Sequence, residues 1–112
     1  METYSALQIL SALGHETRLA AFRCLVQAGL DGLPVGELRE QLDIPAATLT
    51  AHLNTLRASG LVLDQREGRV IRVRADYARM NALLGYLTEN CCSGTTRCLP
   101  APTCKPTKKA SR

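Results

Sequence analysis

Between residues 46 and 74 the chain carries a pattern that few folds satisfy. Leu49, Leu53 and Leu56 recur at helical spacing, Gly60 closes the run, and two short apolar stretches follow, Leu61-Val62-Leu63 and Val70-Ile71-Arg72-Val73-Arg74. A glycine just past the last periodic residue is a helix stop. The two apolar stretches flank Glu67-Gly68-Arg69, and Gly68 can take the positive φ that a hairpin turn needs. A helix joined this closely to a two-stranded hairpin leaves an apolar stripe and a strand face uncovered, so further elements must pack on both.

The remaining chain supplies them. Tyr4 to Leu13 has Ala6, Leu7, Ile9, Leu10 and Leu13 at helical spacing, and Gly14 breaks it. His15 to Ala28 resumes with Leu19, Phe22, Leu25 and Val26 on one face, up to Gly29. Leu30 to Pro34 reads as a turn, Pro34 opens a short helix through Leu38 and Leu42, and Asp43-Ile44-Pro45 turns the chain into Ala46 to Ser59. Asp76 is a good N-cap for a last helix, Tyr77 to Asn90. The expected order is α-α-α-α-β-β-α, a mostly α winged helix-turn-helix with a two-stranded wing. Residues 1–92 form the domain, and 93–112 a Cys-, Pro- and Lys-containing tail, partly disordered.

At 112 residues the core is modest, so a partner subunit is expected to add burial. Tryptophan is absent, leaving aliphatic side chains to fill the interior. No apolar run approaches the ~18 residues of a membrane span, and no basic segment precedes an apolar one at the N-terminus. The expectation is a cytoplasmic chain with no membrane partner and reduced thiols, and the odd count of five cysteines argues against a closed disulfide framework. The net charge of +4 is uneven: residues 1–60 hold four Arg against six acids, and residues 61–112 hold ten Lys and Arg against four acids. A basic half points to a polyanion, of which nucleic acid is the commonest.

Val35 to Ser59 is then two helices joined by a turn, the second of which enters the major groove in a helix-turn-helix. With Leu49, Leu53 and Leu56 inward, the outward set is read as Ala46, Thr48, Thr50, His52, Asn54 and Arg57. Hydroxyl and small residues permit close approach, and His52 or Asn54 reaches a base edge or backbone oxygen. Arg66, Arg69, Arg72 and Arg74 alternate with apolar residues on the hairpin, which suits a wing laid along the phosphate backbone. The expected DNA contacts are Thr48, Thr50, His52, Asn54, Arg57, Arg66, Arg69 and Arg72. An ordinary solvated helix and a plain charged strand are the alternatives. No Cys–His–Asp constellation is visible, so an enzyme is not expected.

His15-Glu16-Thr17-Arg18-Leu19, Gly36-Glu37-Leu38, the block His52-Leu53-Asn54-Thr55-Leu56-Arg57-Ala58-Ser59-Gly60-Leu61-Val62 and Arg66-Glu67-Gly68-Arg69 resemble the ArsR/SmtB family of winged-helix metal-sensing repressors, over about residues 3–90. The resemblance implies a homodimer joined through its first and last helices, and repression at a double-stranded operator with two half-sites. One family metal site, Glu-Leu-Cys-x-Cys, reads here Glu37-Leu38-Arg39-Glu40-Gln41 and has lost both cysteines. Another uses Asp and His on the last helix; Asp76 is present, but Tyr77 to Asn90 holds no histidine.

What remains is Cys91, Cys92 and Cys98, with Cys104 as a spare and Cys24 as a core residue. Cys91 continues the stripe of Met80, Leu84 and Leu87. Three soft thiolates without imidazole suit a thiophilic centre. As(III) takes three sulfurs in a pyramid, and Sb(III) fits equally, whereas zinc or cadmium prefers a fourth ligand. The pattern is similar to that of arsenite-responsive family members with cysteines at the end of this helix. The expected inducer is therefore arsenite. A thiol redox switch, a Cd, Zn or Pb sensor, a metal-buffering protein and ligand-free tail thiols stay open.

Overall fold

The computed structural model describes residues 1–91. The elements are α1 (Thr3–Leu13), α2 (Glu16–Ala28), β1 (Leu33–Pro34), α3 (Val35–Leu42), α4 (Ala46–Ser59), β2 (Val62–Glu67), β3 (Val70–Ala75) and α5 (Tyr77–Leu87). Two of the five helices open on a side-chain cap: His15 accepts the Thr17 amide at the start of α2, and Asp76 accepts the Arg79 amide at the start of α5. Pro34 and Pro45 lead into α3 and α4 without one. Gly60, at φ 83°, closes α4 in the left-handed conformation, with its amide bonded to the Arg57 carbonyl and the Leu61 amide bonded to the Leu56 carbonyl.

Two expectations change. Leu33 and Pro34 are not merely a turn: they pair antiparallel with β3, making a three-stranded sheet in the order β1-β3-β2. A two-residue strand is too short to show any alternation, and Pro34 fits only because β1 lies at the sheet's edge. The last helix ends at Leu87 rather than Asn90. The Thr88 hydroxyl bonds back to the Leu84 carbonyl, and Asn90 has a φ of 58°, so the backbone leaves the helix there.

β3 is the middle strand. Along it Ile71, Val73 and Ala75 turn inward while Val70, Arg72 and Arg74 turn outward. In β2 the hairpin register runs from Val62 opposite Ala75 to Glu67 opposite Val70. Ile9, Leu25, Leu38, Leu49, Leu53, Leu56, Leu61 and Val73 are the largest fully buried side chains. They come from every element except β1, β2 and α5, so the core lies where α1 to α4 meet the root of the hairpin. Each such aliphatic side chain contributes about 1.5–3 kcal/mol by leaving water.

α5 packs on the core through Leu83, which is buried, and the Tyr77 hydroxyl donates to the Val26 carbonyl at 2.8 Å. Its second half meets α1, where Thr3 Oγ1 and the Tyr86 hydroxyl share a hydrogen bond. No described helix is long and apolar enough to cross a membrane. The tail expected at 93–112, and with it Cys92, Cys98 and Cys104, lies outside the described residues.

Candidate nucleic-acid interface

α3 and α4 meet at a tight corner. Asp43 takes a left-handed conformation, φ 53°, with its amide bonded to the Arg39 carbonyl, and Pro45 starts α4 two residues later. Leu49, Leu53 and Leu56 anchor α4 in the core and fix the rotation of the helix. That rotation corrects the outward face. Residues two apart on a helix point ~200° apart, so the even-numbered set from Ala46 to Asn54 cannot share one side. Directly away from the core lie Ala47, Ala51, Asn54 and Ala58, all exposed. Thr48 and Thr50 are exposed on opposite flanks of that strip. Three alanines allow close approach of a backbone or base edge.

His52 faces α2 instead of turning outward. Its ring lies 4.5 Å from the His15 ring, centre to centre, at a 43° tilt, and Arg18 Nη1 is 3.4 Å from His52 Nδ1. Arg18 also donates from Nε to the Ala12 carbonyl at 2.6 Å, so the cluster joins the end of α1, the start of α2 and the middle of α4. Burial holds the His52 imidazole below its ordinary pKa, and the neighbouring His15 and Arg18 add to the effect. Reading by sequence missed His15 and Arg18 as neighbours of this helix, because no spacing links positions so far apart.

Arg57 reaches from α4 to the wing. It pairs with Asp64 of β2 at 2.9 Å and donates from Nη1 to Asn54 Oδ1 at 2.9 Å. Arg66 and Arg69 are exposed on the hairpin, whose tip turns at Gly68 with φ 61°. Thr50, Arg57 and Arg69 come together around one cleft between α3, α4 and β3. Arg72 is placed differently. It is half-buried and donates to the backbone carbonyls of Asp31 at 3.1 Å and Gly32 at 3.4 Å. Its charge is spent holding the loop before β1, a role that its place in the arginine series did not reveal.

Of the expected thiol site only Cys91 is described. It is half-buried just beyond α5, with its amide bonded to the Thr88 carbonyl at 3.0 Å. Among the described residues no group of three His, Cys, Asp or Glu side chains gathers to hold a metal ion.

The chain is similar to proteins that share this architecture. Residues 13–65 match a family model described as a helix-turn-helix domain. A Bacillus subtilis (strain 168) protein, an uncharacterised HTH-type transcriptional regulator, is 39% identical over 62 residues, which cover 55% of this chain and 61% of that relative. The chain thus spans about three fifths of that relative's length. An ArsR-like transcriptional regulator from Rhodococcus sp. RHA1 superposes with a TM-score of 0.65 at 31% identity, over 75% of this chain and 76% of its own. The homodimeric winged helix-turn-helix DNA-binding domain of a possible ArsR-family regulator from Mycobacterium bovis superposes with a TM-score of 0.60 at 25% identity, over 79% of this chain and 82% of its own. With the order of elements, the buried anchors of α4 and the hairpin already in place, these likenesses make the chain a member of the ArsR-like family of helix-turn-helix transcriptional regulators.

Proposed function

We propose that the chain is a homodimeric repressor that reads double-stranded operator DNA with α4 and the wing, and releases it when arsenite binds the thiols of Cys91, Cys92 and Cys98. The observation that carries the DNA reading is the pairing of a small-residue strip on α4 with an arginine-tipped hairpin fixed beside it. Thr48, Thr50 and Asn54 approach the groove, Arg66 and Arg69 take phosphates, and Arg57 sets the angle between helix and hairpin through Asp64. His52 contributes by holding α4 against α2.

The homodimer reading rests on uncovered apolar surface. Tyr4, Leu7 and Leu10 of α1 and Leu84 and Leu87 of α5 are exposed, on two helices that touch one another. The Mycobacterium bovis relative is homodimeric, and two copies joined here present two recognition helices to half-sites about 34 Å apart.

The inducer reading rests on donor chemistry. Cys91 stands next to the uncovered end of α5, the sequence adds Cys92 and Cys98, and the set contains thiols and no imidazole. Such a set fits As(III) or Sb(III), which supplies three sulfur bonds as three water molecules leave. Cys91 ties that event to the end of the dimer helix, so drawing Cys98 back towards it alters the spacing of the two reading heads. A coupling of about 1–3 kcal/mol weakens DNA binding by about 5–150-fold.

The test is a titration of promoter fragments at several salt concentrations, with arsenite or diamide added. The expected result is salt-steep binding that arsenite reverses in the parent chain, but not in the Cys91→Ser, Cys92→Ser, Cys98→Ser variant. Full release of the triple variant by arsenite overturns the thiol site. Release by diamide alone assigns the input to thiol oxidation, and absence of binding at low salt overturns the repressor.

A further inference from the structure

A cleft of about 550 Å³ opens between the N-terminus of α3, the wing-side flank of α4 and the start of β3. Val35, Leu53, Val70 and Ile71 form its walls, and Thr50, Arg57 and Arg69 stand around them. The mixture is specific in its chemistry. A bare phosphate needs donors and no apolar wall, whereas Val70 lines this space and is left 46% exposed. Arg57 is already paired with Asp64, so its charge is largely answered. Arg69 has no such carboxylate among the described residues and lines the same space. Thr50, on an exposed flank of α4, lines the same space. The volume falls within the range of small-molecule sites, about 300–1,000 Å³.

The geometry points to a binding site for a small carboxylate with an apolar body, its oxyanion on Arg69 and Thr50 and its body against Val35, Leu53 and Val70. This inference rests on the DNA-binding reading for its consequence but not for its existence. An occupant that engages Arg69 withdraws that guanidinium from the phosphate backbone, so such an acid opposes DNA binding by a route independent of the cysteines.

2-Naphthoate and its neutral analogue 2-naphthamide, titrated into the full chain and followed by amide chemical shifts, test this. The expected result is saturable shifts at Gly36, Thr50 and Val70 with the acid, about tenfold weaker binding of the amide, and about tenfold weaker binding of the acid to Arg69→Ala, because a hydrogen bond to a charged group is lost. Arg69 is an exposed hairpin-tip residue, so this variant keeps its fold, and the unperturbed core amides verify that. Equal affinity for acid and amide, unchanged affinity in Arg69→Ala, or shifts confined to other regions overturns the site. With DNA present, weakening by 2-naphthoate in the triple cysteine variant is expected, and unaltered DNA affinity at saturation overturns the competition. A chain that binds the acid yet no DNA retains the site and discards the repressor, so the two failures are distinguishable.

Discussion

At Gly32 a single added carbon has nowhere to go. Its φ is +66°, and a Cβ there falls on the Val73 carbonyl oxygen and within 2.9 Å of Arg74 Cβ. Both obstacles belong to the middle strand, which β1 and β2 hold on either side. Gly32→Ala is expected to cost about 3 kcal/mol or more, from left-handed strain together with the clash, and urea unfolding measures it. His52 makes a second residue-level prediction. Its folded pKa is lowered, so the folded chain favours the neutral ring and unfolding takes up a proton between the two values. The contribution is present above the unfolded value of about 6.5 and is lost as pH falls through the folded one. Urea midpoints taken from pH 8 down to pH 5 should decline, and His52→Gln should decline less. Parallel curves would remove His52 from the pH response.

Among the elements, α4 joins the core to the surface strip. Leu56 is fully buried on it, and Leu56→Ala is expected to cost about 2–5 kcal/mol in urea unfolding, from lost burial and the cavity left behind. The Arg57–Asp64 pair, which ties the same helix to β2, behaves differently, since its side chains are 29% and 40% exposed. Asp64→Asn should change stability by less than about 1 kcal/mol. Most elements were legible because their signals are local: leucine spacing for α4, Gly60 for its end, Asp76 for the start of α5, and alternation around Gly68 for the hairpin. β1 was not legible, because two residues carry no period and their strand character comes from pairing with Val73 and Arg72. The outward face of α4 was misjudged by stepping in twos along a helix whose turn is 3.6 residues. The jobs of Arg72 and His52 depend on Asp31, Gly32, His15 and Arg18, contacts made by folding and invisible to spacing.

For the whole molecule, the exposed apolar residues Tyr4, Leu7, Leu10, Leu84 and Leu87 lie on the two touching helices α1 and α5. Leu87 is 53% exposed on the second half of α5, so Leu87→Glu should leave the monomer's fold intact while favouring the monomer in sedimentation equilibrium. An unchanged dimer would move the interface elsewhere. The same variant should bind a two-half-site fragment far more weakly than the parent, because two linked reading heads multiply their effective concentration.

The root of the wing is held from both sides, by β1 along β3 and by Arg72 on the carbonyls of the preceding loop. The hairpin is therefore no free-swinging flap but a tine of the same fork as α3 and α4. A chemical message arriving at the far end of such a body cannot retune one prong. In the proposed dimer it would instead tilt an entire fork against its twin, so that response is set by how the pair is hinged rather than by how either half is bent.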